Sequence, residues 1–192
     1  MFRNEKSKIQ KYILAYVLIV VAILIYISLV PQQIRLSPLD ENYIVATEQD
    51  DIVTYDEGMN AIVVYTPSRY STKTYLLGDL RENTLITVSS GDGDDQIILE
   101  NFQRYVVIYG GNGDDKIFGP SNFWAIVHGD SGDDNILVGI MDDQVYAGDG
   151  HDNVYGGGGN DKIFGASGIE DLYGAEGDDT IHGDQRLGLS AD

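Results

Sequence analysis

The chain has 192 residues and a formal net charge of −19, from 31 acidic and 12 basic side chains. That balance argues against a nucleic-acid partner, because a polyphosphate backbone attracts clustered Lys and Arg. Hydrophobic residues make up 43% of the chain and 13 residues are Tyr, so a core can form despite the acidity, and the lack of Cys excludes disulfides and thiolate chemistry.

The first element differs from all the others. Residues 1–11, "MFRNEKSKIQK", carry Arg3, Lys6, Lys8 and Lys11 against Glu5. Residues 12–30, "YILAYVLIVVAILIYISLV", have no charge, and Pro31 follows. As a helix this run spans about 28 Å, close to a bilayer core. Tyr12 and Tyr26 stand near its two ends, where aromatic rings favour the interface. A secretory signal usually has a shorter apolar region and a small-x-small cleavage site, which Val30 before Pro31 does not provide. The reading favoured is an uncleaved single transmembrane helix with a cytoplasmic basic tail. Residues 31–192 would then lie on the periplasmic or extracellular side of an inner membrane.

Residues 31–43, with two prolines, read as a linker. Residues 44–89 hold short β-rich runs such as "IVAT", "DIVTY" and "NAIVVY", bounded by turn formers. They predict a β-rich N-terminal cap. After Ser89 a nine-residue period appears, continuing as residues 90–192. Its units start at 90 ("SGDGDDQII"), 110 ("GGNGDDKIF"), 129 ("GDSGDDNIL"), 138 ("VGIMDDQVY"), 147 ("AGDGHDNVY"), 156 ("GGGGNDKIF"), 165 ("GASGIEDLY") and 174 ("GAEGDDTIH"). "LENFQRYVVIY" and "GPSNFWAIVH" fill the earlier gaps as degenerate units.

Each unit predicts a glycine turn followed by a short strand. Position eight reads Ile97, Ile117, Ile136, Val145, Val154, Ile163, Leu172 and Ile181, an unbroken aliphatic column. Two units form one coil of a parallel stack, and stacking buries the column that a lone coil cannot. Position six is acidic: Asp95, Asp115, Asp134, Asp152 and Glu170 on one edge, and Asp143, Asp161 and Asp179 on the other. Stacked coils lie about 4.8 Å apart, so these like charges repel unless a cation lies between them. Calcium, which takes six to eight oxygens, suits carboxylates combined with turn carbonyls.

The pattern resembles the RTX (repeats-in-toxin, haemolysin-type) calcium-binding nonapeptide G-G-x-G-x-D-x-U-x over residues 90–183. That sequence is one of the standard examples of a β-helix repeat. The resemblance implies a mainly β, right-handed parallel β-roll that binds several Ca²⁺ ions between successive turns. It implies ligands from position-six carboxylates and from the backbone carbonyls of positions one to four. On one edge these are Asp115 with Gly110, Gly111, Asn112 and Gly113, Asp134 with Gly129, Ser131 and Gly132, and Asp152 with Gly148 and Gly150. On the other they are Asp161 with Gly157 and Gly159, and Asp179 with Gly177. Asp95 and Asp143 complete the implied set. Two units depart from the pattern: Met141 replaces a turn glycine before Asp143, and Glu170 stands where Asp is usual. Metal and bare turn carboxylate both stay open for these two.

Position nine reads Phe118, Leu137, Tyr146, Tyr155, Phe164, Tyr173 and His182. It is expected to face outward, either as a ladder that stabilises the stack or as a stripe that meets a partner. Phe118, Tyr146, Tyr155, Phe164 and Tyr173 are the candidate contacts. No helix follows the glycines as a dinucleotide site requires, no Ser sits in a nucleophile elbow, and the three His are scattered. The sequence therefore points away from an enzyme. It suggests an accessory subunit packed on the outer face of a larger membrane complex. The alternative is a calcium-dependent adhesion or matrix protein that binds cell surfaces or glycans.

Overall fold

The computed structural model describes residues 32–35, 42–77, 80 and 84–183. The expected transmembrane helix, 12–30, lies outside them, as does the tail after Gly183. Among the described residues no helix is long and apolar enough to cross a membrane. The chain divides into two units, Met1–Gln32 and Gln33–Asp192, and the β architecture belongs to the second.

The strands, in chain order, are β1 (Gln32–Arg35), β2 (Tyr43–Thr47), β3 (Ile52–Asp56), β4 (Ala61–Thr66), β5 (Ser71–Leu76), β6 (Ile86–Asp92), β7 (Gln96–Ile98), β8 (Val106–Asn112) and β9 (Lys116–Phe118). They continue as β10 (Ala125–Ser131), β11 (Asn135–Leu137), β12 (Gln144–Gly150), β13 (Asn153–Gly158), β14 (Lys162–Gly168), β15 (Asp171–Glu176) and β16 (Thr180–His182). One sheet has the order β2-β6-β8-β10-β12-β14-β16. The other runs β1-β5-β4-β3-β7-β9-β11-β13-β15. Each coil gives one strand to each sheet, so neighbours along the array are parallel. This is the parallel β-roll that the nine-residue period predicts, with five coils between β6 and β15.

Register follows from the period. Ile97, Ile117, Ile136, Val154 and Leu172 align across one sheet. Val88, Ile108, Val127, Val145, Ile163 and Ile181 align across the other. The two columns meet in a single core. Burying each such side chain contributes about 1.5–3 kcal/mol. Leu172 and Ile181 are only partly buried, because they are the last aliphatic rungs of their sheets.

Three features of the N-terminal region differ from the expectation. Gln32–Arg35, within the stretch read as a linker, form the edge strand β1. Residues 43–56 do more than cap the roll: β2 pairs in parallel with β6 and β3 with β7, so they make a coil of their own. The cap proper is the antiparallel meander β3-β4-β5, which extends one sheet beyond that coil. Antiparallel pairing needs only short turns, here at residues 57–60 and in the 3₁₀ turn Pro67–Arg69.

Candidate metal centre

The coils turn at two edges. At the edge leading from the seven-stranded to the nine-stranded sheet, the second aspartate of each pair points inward and stacks on its neighbours. Asp51 N–H donates to Asp95 Oδ1 at 2.6 Å, Asp95 N–H to Asp115 Oδ1 at 2.9 Å, Asp115 N–H to Asp134 Oδ1 at 2.9 Å, and Asp134 N–H to Asp152 Oδ1 at 3.0 Å. The opposite edge carries a shorter ladder. Asp143 N–H donates to Asp161 Oδ1 at 2.8 Å and Asp161 N–H to Asp179 Oδ1 at 2.9 Å. The sequence-based division of the carboxylates between two edges is the one the fold displays.

The first aspartate of each pair works in the opposite direction. Asp114 N–H donates to Asp94 Oδ1 at 3.0 Å, Asp133 N–H to Asp114 Oδ1 at 2.9 Å, and His151 N–H to Asp133 Oδ1 at 2.8 Å. A position-five side chain thus accepts from the coil after it, and a position-six side chain from the coil before it. The pairs Asp94–Asp95, Asp114–Asp115, Asp133–Asp134 and Asp142–Asp143 each clamp their turn on both sides.

The inner ladder uses one oxygen of each carboxylate. The second oxygens, Oδ2 of Asp95, Asp115, Asp134, Asp152 and Asp161, and Oδ1 of Asp51, are buried with no hydrogen-bond partner. Their residues are at most 2% exposed. A buried carboxylate oxygen without a donor is costly, and desolvation shifts these groups strongly. Burial pushes Asp95 and Asp134 up to about 7 and Asp115 and Asp161 up to about 6, against the opposing pull of the backbone N–H bond each accepts. Neighbouring carboxylates raise all four further. Asp152 is raised by burial as well.

The unpartnered oxygens face a space that glycine keeps open. At Gly110 a Cβ would press on the Asp115 carboxylate and come within 2.8 Å of the Gly129 carbonyl on the next coil. At Gly129 it would meet Asp134 Oδ2 and the Ala147 carbonyl, and at Gly156 Asp161 Oδ2 and the Gly174 carbonyl. A carboxylate oxygen from one coil and a carbonyl from the next thus converge. Among the described residues no three acidic or His side chains gather in one group, so a cation here must draw on backbone oxygens too. That donor set, hard and all-oxygen, fits calcium. When bound, the ion supplies the positive charge that the inner carboxylates lack.

The cradles are not equal. Position one is Gly110, Gly129 and Gly156 beside Asp115, Asp134 and Asp161. Beside Asp95 it is Ser90, whose hydroxyl donates to the Gly110 carbonyl at 2.6 Å. Beside Asp152 it is buried Ala147, and beside Asp143 buried Val138. Asp143 differs again: Oδ1 accepts the Ala125 N–H at 2.6 Å and Oδ2 the Gly139 N–H at 3.3 Å. Both its oxygens accept a backbone N–H, unlike Asp95, Asp115, Asp134, Asp152 and Asp161, whose Oδ2 atoms have no hydrogen-bond partner. Glu170 lies against Gly165, reaching the same inward space with a longer side chain.

The remaining expected residues also have defined places. Gly111, Gly113, Gly132, Gly148, Gly150, Gly157, Gly159 and Gly177 all have positive φ. At Gly111, with φ 114°, a Cβ would collide with the Gly91 carbonyl of the coil below. Asn112 and Ser131 align at one strand end, and Asn112 Nδ2 donates to Asp92 Oδ1 at 2.6 Å. The position-nine residues separate onto two faces. Phe118, Tyr155 and Tyr173 lie on the nine-stranded sheet, and Tyr146 and Phe164 on the seven-stranded one. On the latter, Tyr109, His128, Tyr146, Phe164 and His182 stack with centroids 4.7, 4.7, 5.0 and 5.2 Å apart.

Some of these residues were missed in the sequence. Asp51 belongs to "ATEQDDIVT", which keeps the acidic pair and the apolar eighth position but lacks the glycines. Tyr109 and His128 are the last residues of the two degenerate units and align with the ninth position of the regular ones. In each case the period was the available signal.

Stacked coils, inward carboxylate ladders and glycine-kept cradles define a metal-binding parallel β-roll. The family model for the RTX calcium-binding nonapeptide repeat (4 copies) matches residues 106–119, 128–163 and 164–185. This stretch is an array of RTX repeats, and such repeats are calcium-binding. No curated protein and no solved structure matches the chain.

Proposed function

We propose that the protein is a calcium-stabilised structural subunit, with no catalytic role, tethered to the inner membrane by residues 12–30. Its roll would pack on the periplasmic or extracellular face of a larger membrane complex. The calcium-binding array accounts for the rigid part of this reading. The observation that supports a partner surface is the five-ring ladder, Tyr109 to His182, on the outer face of the seven-stranded sheet. The inner face of that sheet already completes the core, so the ladder is available to something else. A flat aromatic stripe suits a protein surface, since aromatic residues are enriched at interface centres.

The test is purification of the native protein from gently solubilised membranes. Companion subunits should co-purify with the parent. They should be lost from a Tyr146→Thr/Phe164→Thr variant that still folds with calcium. A protein that runs alone, or one released with a processed N-terminus, would rule the reading out. The second result would favour the free adhesion protein instead.

A further inference from the structure

The edge leading from the nine-stranded to the seven-stranded sheet changes character along the stack. In register, position six reads Ile86, Val106 and Ala125 in the earlier coils, and Asp143 and Asp161 in the later ones. The residue before each follows suit: Leu85, Tyr105 and Trp124, then Asp142 and Asn160. An aromatic half of the edge therefore meets an acidic half. Tyr105 and Trp124 stack with centroids 4.9 Å apart and planes 17° apart, and Phe123 packs edge-on against Tyr105. The stack stops at Trp124. On the next coil Asp142 holds the place of a third ring, and a cavity of about 270 Å³ opens there, lined by Trp124, Ala125, Ile126, Asp142 and Gln144.

We propose that this slot receives the guanidinium of an arginine side chain from a partner polypeptide. Tyr105 covers one face of the indole, and the slot lies against Trp124 on the side of the next coil. A guanidinium is flat, stacks on aromatic faces and is drawn to the indole quadrupole. Asn160 N–H donates to Asp142 Oδ1 at 2.8 Å, and the exposed Asp142 side chain offers Oδ2 for a charge-assisted bond. The Gln144 amide adds a neutral acceptor. A sugar could stack on the same ring and hydrogen-bond the carboxylate, but it carries no charge, and the field of a chain at −19 favours a cation. An ammonium is compact and strongly hydrated, so it does not match a flat slot. The slot stands on these residues alone and does not depend on the membrane-complex reading.

Trp124 is the sole tryptophan of the chain, so its fluorescence reports the slot. The full chain, in mild detergent with calcium, is titrated with acetyl-Gly-Arg-Gly-amide, with the Lys counterpart, and with glucose. The Arg peptide should give a saturable change in emission. The Lys peptide should bind at least about tenfold more weakly, a difference of about 1.4 kcal/mol, and glucose should neither bind nor compete. Asp142→Asn retains an oxygen acceptor for the Asn160 N–H, so it should melt like the parent while losing about tenfold or more in Arg-peptide affinity. The proposal is overturned if the Arg peptide gives no saturable signal or if both peptides bind alike. Competition by glucose, or parental affinity in a folded Asp142→Asn protein, overturns it equally.

Discussion

The position-six carboxylate divides its oxygens between two tasks. At Asp134, Oδ1 accepts the Asp115 N–H, and Oδ2 is buried beside the Ala147 carbonyl around the Gly129 cradle. Asp134→Asn keeps the first task, removes a desolvated charge and weakens the second. Without calcium the variant should melt at or above the parental temperature at neutral pH. With calcium it should gain less. One site at a hundredfold excess of ion contributes about 2.7 kcal/mol, and the variant should lose an amount of that order. Thermal melts in EDTA and in calcium, followed by circular dichroism, read both effects. Backbone strain offers a second residue-scale test. Asp130 has φ 75° and aligns with Gly111 and Gly148. Asp130→Gly relieves that conformation and removes a charge that raises the Asp115 carboxyl. It should stabilise the calcium-free chain by about 0.5–1 kcal/mol in urea denaturation.

Between the turns, each element is a short strand whose outward and inward side chains have separate duties. Ile136 is fully buried in the middle of its column. Ile136→Ala should cost about 3 kcal/mol, measured by urea denaturation in saturating calcium. On the outer face of the other sheet, ring stacking adds about 0.5–1.5 kcal/mol per pair. Burial holds His128 below its ordinary pKa, so at neutral pH it joins the ladder as an uncharged ring. The nine-residue period made these strands legible, because a period of two within each strand assigns the faces without reference to neighbours. It did not show which rings touch. Tyr146 and Tyr155 are adjacent ninth positions in the sequence, yet they lie on different sheets. The true neighbours of Tyr146 are His128 and Phe164, each 18 residues away.

The whole molecule carries the sum of its carboxylates. Asp95, Asp134 and Asp143 are raised by burial to about 7, and Asp115 and Asp161 to about 6, from an ordinary value of 3.8. A raised folded-state pKa means that the folded chain binds more protons than the unfolded one. Without calcium, this contribution to stability is fully present below about pH 4 and is lost as pH rises through about 6 to 7. Calcium binds the deprotonated form, so it works against the proton. In EDTA the melting temperature of the full chain should therefore fall between about pH 5 and pH 7.5. In millimolar calcium it should hold or rise over the same range. Parallel curves in the two conditions would separate these carboxylates from the metal.

Much of this was determined by the sequence alone, because a repeat states its geometry once per unit. The coil length, the aliphatic core column, the assignment of Asp115, Asp134 and Asp152 to one edge and Asp161 and Asp179 to the other, and the calcium chemistry all follow from spacing and residue type. What only the tertiary structure decided lies in contacts between coils. It showed that Asp51 joins the inner ladder although its unit has no glycines, since backbone pairing of β2 and β3 with the roll tolerates their loss. It showed that Asp143 has both oxygens engaged by amides, where Val138 takes the place of a cradle glycine. It brought Trp124 and Asp142 to one slot at the junction of an aromatic and an acidic edge. A period fixes what each coil presents, but hydrogen bonding and burial between neighbouring coils fix which oxygens remain for a ligand.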